Sequence, residues 1–501
     1  MKKYLTILKV LIISLSISFT SCTSLEEDPV GLLIPENFFS TIEDLDAGVV
    51  ASLRPLLRGN SWDGLSVREW SLTAGADDLT SHRGYNKQRI LDFDEFIVNS
   101  ENVDNKLTWR SLYASIGAAN LVIENKENVT TNIALRDQIV GQAYFIRAFA
   151  YYRAVRWWGD IPLVLTTSIE GTFDVSRTST KEVYEQIIAD AKAAESILPK
   201  TWSEIGRPTL GAAKTLLANV YLSMSGWPLK EDHLADAKLK AKEVMNLGVY
   251  SLQPSFGNLW FYDNRNNDEQ IFNLQTARNL GTPFSTYTSL PYNQFEENGW
   301  NDYAAQPEFL AIFPDDERKF ATFKEHFVVK RGGVVVDGVT IQKGDSVRWQ
   351  DSRDKKPGIR KFSSSGTDAR THVGGALHPI FRYAEVLLIY AEVTGPTPEG
   401  YAAINKIRRR ANGLDINTPN ALIDLQIGLS VDDFRKEVIK ERAWEFAFEG
   451  KRWHDLVRTE TVESANNNHP FAGGVSKNNY LMPIPADEIL INPNITQNTG
   501  Y

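Results

Sequence analysis

One cysteine, Cys22, stands in a chain of 501 residues. A disulfide within the chain is therefore impossible, and so is a structural metal site built from several thiolates. The seven histidines, among them His82, His233, His326 and His372, are scattered without metal-ligand spacing. Catalytic signatures are missing as well: there is no Gly-x-Ser-x-Gly, no Walker loop, no His-Glu-x-x-His and no Gly-x-Gly-x-x-Gly. Carboxylates are plentiful, and a glycosidase needs only two of them to meet in space, so that one enzyme class stays open. Basic residues do not prevail. The formal net charge of −9 argues against a nucleic-acid partner, which would require a basic face. Beyond the N-terminus no segment offers roughly 18 unbroken apolar residues, the length a membrane-spanning helix needs.

What the chain does contain is 42 % hydrophobic residues, ample for a core, with 12 Trp, 18 Tyr and 24 Phe. So many aromatics exceed what packing alone leads one to expect, and some are expected on the surface as stacking platforms. The N-terminus reads as a secretion signal over residues 1–21: Lys2 and Lys3, an apolar run from Leu5 to Phe19, then Thr20-Ser21-Cys22. An odd cysteine after small residues at that point is the pattern of a lipidated cysteine. Several acyl chains on Cys22 would give stable anchoring where one would be marginal. Residues 22–30, with Glu26, Glu27 and Asp28, form an acidic tether.

Helical periodicity dominates the rest. Ser179 with Glu182 is a capping-box pattern, followed by Val183, Ile187, Ala191, Ala194 and Leu198 at helical spacing. Ala213, Leu216, Leu217, Val220 and Met224 form a second stripe, and Leu234, Ala237, Ala241 and Val244 a third. The short Gly226-Trp227-Pro228 turn between them predicts a packed helix pair. Phe381, Ala384, Leu388 and Ala391, then Ile404, Ile407 and Ala411 after Gly395-Pro396, repeat the arrangement. Alanine-rich pairs of this length resemble tetratricopeptide units. From about 251 to 380 this periodicity fades, while Gly, Asn, Pro and aromatics accumulate. There Val334 to Ile341, centred on Asp337-Gly338, predicts a hairpin. A helix starting at Ser430 is expected to bury Ile439, Ala443, Phe446 and Ala447 and to end at Gly450. The charged residues Arg442, Glu449, Arg452, Asp455 and Arg458 around it read as a structural ion-pair network rather than as a catalytic constellation.

Several blocks together resemble the SusD/RagB family of Bacteroidetes. They are Cys22 with its tether, Ala76-Asp77-Asp78, Trp109 to Asn120, Gly141 to Val164, Arg382 to Leu388, Ile404 to Ala411, Glu441-Arg442, Glu449 to Trp453, and the closing Pro483-Ile484-Pro485 and Gln497 to Tyr501. Their order runs the length of the chain. The resemblance implies a mostly α fold: a tetratricopeptide-like helical-pair scaffold over 31–501 with a loop-rich, partly β ligand-binding half at about 251–380. It implies a surface-exposed outer-membrane lipoprotein that captures a nutrient without catalysis and without a cofactor. The captured nutrient, usually a glycan, passes to a SusC-like TonB-dependent transporter as partner. Capture of a peptide, turnover of a glycan, and a lid with no ligand affinity of its own remain open alternatives on the residues alone.

Sugar recognition needs a flat apolar face for the ring and polar side chains for the hydroxyls. Two loops supply both. The first runs from Asp77 and Asp78 through Arg83 and Tyr85; the second runs from Tyr287 through Tyr292 and Asn293 to Trp300 and Tyr303. Trp62, in Asn60-Ser61-Trp62-Asp63-Gly64, is a further candidate, and Trp300, after Gly299 and amid polar neighbours, is the leading one.

Overall fold

The computed structural model describes residues 38–57, 65–82, 87–167, 175–275, 302–329, 334–336, 339–352, 354–362, 378–467 and 474–501. Cys22 and the N-terminal segment lie outside the described residues. The main helices are α1 (Ile42–Leu57), α2 (Leu65–Leu72), α3 (Val103–Glu124), α4 (Ile133–Trp158), α5 (Thr180–Ile197), α6 (Leu210–Met224), α7 (Leu234–Met245), α8 (Tyr383–Thr394), α9 (Pro398–Ala411), α10 (Val431–Glu445) and α11 (Arg452–Arg458). Successive helices pack side by side from α3 through α7, then α7 on α8 and α8 on α9, which is the expected helical-pair scaffold. The fold is mostly α.

Local sequence starts these helices where the side chains can satisfy their free N–H groups. The Ser179 and Glu182 side chains form the capping box of α5. Thr209, Thr397 and Ser430 accept backbone N–H groups at the starts of α6, α9 and α10. Helix α4 is buried on nearly every side, which explains its lack of a polar face. At Gly141 it approaches α5 so closely that a Cβ would meet Ile197 Cγ1 at 2.8 Å. The α4–α5 contact also holds Arg147, whose Nε and Nη2 both donate to Asp190 at 2.7 Å, while Nη1 donates to Asn120 of α3 at 2.9 Å. One contiguous apolar core runs from Phe39 to Ile495.

Strands are short and, among the described residues, pair only in twos. They are β1 (Leu79–Thr80), β2 (Gln270–Leu274), β3 (Ala304–Ala305), β4 (Val334–Val336), β5 (Val339–Ile341) and β6 (His378–Arg382), with minor pairs besides. The predicted hairpin forms as β4–β5, with Val336 opposite Val339. Strand β6 pairs with β2 and so ties the start of α8 to the middle of the chain.

The expectation for α10 needs correction. The helix ends at Glu445, not Gly450, and Phe448 and Gly450 adopt positive φ values of 64° and 71°. Ile439 is only half-buried, whereas Glu441, Arg442 and Glu445 lie on the buried face. Partners from distant segments make this burial possible. Glu445 accepts from Arg382 at 3.0 Å and from Arg410 at 2.5 Å. Glu269 accepts from the same two arginines at 2.6 and 3.2 Å. The turn after α10 swings Glu449 onto Arg382 and Lys361, each at 2.7 Å. These six side chains have no solvent exposure. A second cluster joins α8, α10 and α11: Asp455 accepts from Arg442 and Arg458 at 2.8 Å, and Arg458 grips Glu392 with two bonds of 2.6 and 2.8 Å. The ion-pair reading of these residues is what the structure shows.

Burial by itself would raise the pKa of Glu445, but Arg410, Arg382 and Arg318 outweigh it and hold the carboxyl at about 2. Glu445→Gln keeps the volume and leaves three buried guanidinium groups, those of Arg382, Arg410 and Arg318, short of a counter-charge. It should lower stability at pH 7 by about 3–5 kcal/mol in denaturant unfolding. The native pKa is depressed, so this contribution is complete above about pH 4.3, the unfolded value, and fades as pH falls toward 2. The gap between wild type and variant should therefore narrow between pH 4 and 2; a constant gap would show that Glu445 is not the titrating partner.

Candidate functional site

Of the candidate ligand residues, Asp77 and Asp78 are described; Trp62, Arg83, Tyr85, Tyr292, Asn293 and Trp300 lie outside the described residues. The roots of their segments are nevertheless well defined. Strand β1, leading to 83–86, pairs antiparallel with β3, which follows 276–301: Leu79 faces Ala305 and Thr80 faces Ala304. Just outside this pair, Ser81 Oγ donates to the Asp302 carbonyl at 2.6 Å. Lys87, where the first loop re-enters, forms a buried ion pair with the Asp302 carboxylate. Lys356 Nζ donates to Thr80 Oγ1 at 2.8 Å and to the Ser81 carbonyl at 2.5 Å. The two loops singled out by composition thus spring from one place, although 215 residues separate Lys87 from Asp302.

Helix α2, which follows segment 58–64, supplies the floor. Trp70 meets Tyr303 edge-on at 5.3 Å and Phe362 at 5.5 Å. The Tyr303 hydroxyl shares a 2.9 Å hydrogen bond with Ser71, and Ser71 donates to the fully buried Asp104. Tyr303, expected on a ligand loop, is a buried floor residue. Phe362 is the last described residue before 363–377, so a third segment leaves from the same floor.

Asp77 and Asp78 fasten the root to the C-terminal helices. Arg452 Nε and Nη2 reach the two oxygens of Asp77 at 2.6 and 2.7 Å. Asp78, only 3 % exposed, accepts the backbone N–H of Phe448 at 3.0 Å. That N–H belongs to the positive-φ turn after α10, so the loop root and the buried ion-pair network share a backbone. Burial first, and the neighbouring Asp77 charge second, push the Asp78 carboxyl up to about 6.

A family model described as "SusD family" matches residues 268–501, and one described as "Starch-binding associating with outer membrane" matches residues 64–222. SusD-like protein P2 of Formosa agariphila is 29 % identical over 535 aligned positions that cover 100 % of both chains. The crystal structure of a SusD superfamily protein from Parabacteroides distasonis superposes with a TM-score of 0.78 at 24 % identity, covering 92 % of this chain and 98 % of that one. A laminarin-binding SusD-like protein superposes with a TM-score of 0.73 at 22 % identity, covering 92 % of this chain and 99 % of that one. This chain is a SusD-like family protein. Two of the resemblance blocks, Ala76-Asp77-Asp78 and Glu449 to Trp453, lie within the two matched ranges and meet through the Asp77–Arg452 pair.

Sequence reading of this SusD-like protein missed the Lys87–Asp302 and Lys356–Thr80 contacts, because no local pattern links residues so far apart. It also missed a cleft of about 210 Å³ lined by Trp202, Ile205, Tyr250, Asn266 and Asn273. The cleft lies beside Gln275, the last described residue before 276–301, and Gln275 donates to Asn266 at 2.9 Å. A Trp and an Ile in a Gly- and Pro-flanked loop were the available signal, since Ile205 is 66 % exposed. Among the described residues no group of His, Cys, Asp and Glu is arranged to hold a metal, and no helix is long and apolar enough to cross a membrane.

Folding raises the pKa of Asp78, so its favourable contribution is complete below about pH 4 and lost as pH rises through 6. Asp78→Asn retains the acceptor for Phe448 but cannot ionise. It should match wild type at pH 4 and exceed it at pH 7.5 by up to about 3 kcal/mol. Equal differences at the two pH values in urea unfolding would mean that Asp78 does not titrate in this window.

Proposed function

We propose that this protein captures an oligosaccharide at the outer membrane without chemical turnover and delivers it to a SusC-like TonB-dependent transporter. The observation that carries the reading is that the described residues flanking two aromatic- and Asn-bearing segments meet beside one buried floor, in a chain whose relatives include a laminarin-binding SusD-like protein. Stacking of Trp300, Tyr292 and Tyr85 on pyranose faces, with Asn293 and Arg83 on the hydroxyls and Trp62 beside them, matches what sugar recognition demands. The described contacts of Asp77 and Asp78 hold the root from which such a platform is presented. A preorganised root lowers the ordering cost of binding. Cys22 is the proposed lipid attachment point. Several acyl chains there, with the acidic tether, would keep the protein on the cell surface.

Affinity electrophoresis of the protein lacking residues 1–22, in gels loaded with starch, laminarin and other polysaccharides, tests this. Retardation by at least one glycan is expected, with no reducing ends released on incubation. Trp300→Ala should weaken that binding roughly tenfold, or about 1.4 kcal/mol. Release of reducing ends would replace capture by hydrolysis. Failure of every glycan to retard the protein would remove the carbohydrate assignment.

A further inference from the structure

A cavity of about 60 Å³ lies within the scaffold, between α4, α6, α8, α10 and α11, and no part of the ligand platform uses it. Five cations line it: Arg153, Arg156, Arg442, Lys451 and Arg458. The four acids in its wall are each already paired. Glu69 serves Arg153, Glu385 serves Lys451, Asp455 serves Arg442 and Arg458, and Glu449 serves Arg382 and Lys361, which lie outside the cavity wall; Arg458 has a further partner outside the wall in Glu392, so the cation left unanswered is Arg156. Arg156 has no carboxylate partner among the described residues. Its Nε donates to the Tyr152 carbonyl at 3.1 Å, and its guanidinium lies 3.9 Å over the Tyr152 ring. Two further polar atoms are unmatched. Arg442 is 3 % exposed, and its Nη1 has no hydrogen-bond partner among the described residues. His454, 8 % exposed and packed on Trp157 at 4.4 Å, has no such partner at Nε2.

Unmatched buried donors and a surplus of positive charge are costly unless something of opposite sign answers them. The surplus is felt by His454: burial first, then the charges of Arg156, Arg153 and Lys451, hold its pKa well below the ordinary imidazole range. A neutral imidazole with its proton on Nε2 is itself a donor toward the cavity. The space takes about four waters' worth of volume, which suits a small ion and a water or two. A second cavity of about 30 Å³ shares Arg156, Ser223, His454 and Arg458 and extends toward Trp227 and Leu481.

We propose that this cavity binds a small inorganic anion, a halide or a phosphate-type oxyanion, held by Arg156, Arg442 Nη1 and His454 Nε2. The ion clamps α4, α10 and α11 together and completes the charge balance of the scaffold. Because it binds the folded state, it raises the melting temperature by mass action. The test uses the protein lacking residues 1–22, in isethionate replaced stepwise by bromide or by sulfate at constant ionic strength. A saturable rise in melting temperature is expected with one of the two, and which one responds tells halide from oxyanion. Arg156→Gln, a half-buried position with no ion pair to break, should weaken the apparent affinity at least about tenfold. In bromide-soaked crystals of the wild type, an anomalous peak between Arg156 and His454 is the expected result if the halide arm responds; for the oxyanion arm, sulfate density should stand there. Identical, non-saturating responses in wild type and Arg156→Gln, or a cavity holding only water in both soaks, would overturn the proposal.

Discussion

Arg382, clasped by Glu269, Glu445 and Glu449 with no access to solvent, is the interaction on which the rest of the architecture depends. It sits at the end of β6, immediately before α8, and its partners come from the residue preceding β2, from α10 and from the turn beyond it. A guanidinium presents a planar fork of donors, so three carboxylates can approach it in fixed directions. Each carboxylate alone would be expensive to bury. With Arg410 and Lys361 added, the group is mutually neutralising, and removal of any one member strands the others. Apolar packing holds the helices together, but it is tolerant of small shifts. The network is not, because hydrogen-bond geometry is directional.

That directionality reaches the paired strands β1 and β3 through a short path. Glu445 ends α10, the chain turns through Phe448 in a positive-φ conformation, and the Phe448 N–H is fixed by Asp78. Four residues later Arg452 is fixed by Asp77. Strand β1 begins at Leu79, directly after Asp78, and pairs with β3, whose neighbour Asp302 is tied back to Ser81 and Lys87. The scaffold therefore holds the described ends of 83–86 and 276–301 at one edge, and loops rooted on a fixed scaffold can carry recognition without disturbing the fold. Asp455 and Arg458, three residues apart on α11, extend the same principle, with Arg442 reaching Asp455 from α10.

Much of the helical half was legible from residue spacing. The Ser179 capping box, the α6 and α7 stripes and the break at Gly395 depend on local rules of helix geometry, and each stands where those rules put it. The end of α10 was misread for an equally physical reason. Phe446 and Ala447 continue an apolar pattern that a helix would bury, but the demand of Glu449 to reach Arg382 and Lys361 turns the chain five residues before Gly450. Tyr303 was misassigned to a ligand-facing loop for a similar reason: an aromatic beside Asn301 and Asp302 resembles a surface platform until Trp70 and Ser71 arrive from a segment more than two hundred residues away.

By itself the sequence determined the helix starts and stops, the apolar faces, the shift to loop-rich character after residue 250, and the ordered blocks that mark the family. All of these follow from interactions between residues a few positions apart, or from the presence of recognisable residue sets. Only the tertiary structure decided which charges are buried and paired, and that the residues flanking 83–86 and 276–301 meet beside the floor of Trp70, Tyr303 and Phe362. It also showed that Asp77 and Asp78 lock that floor to the C-terminal helices, and that Arg156, Arg442 and His454 face a common cavity. Those outcomes depend on contacts between residues tens to hundreds of positions apart. The energy of a buried charge is set by the partners the fold brings to it, and no local pattern in the chain encodes them.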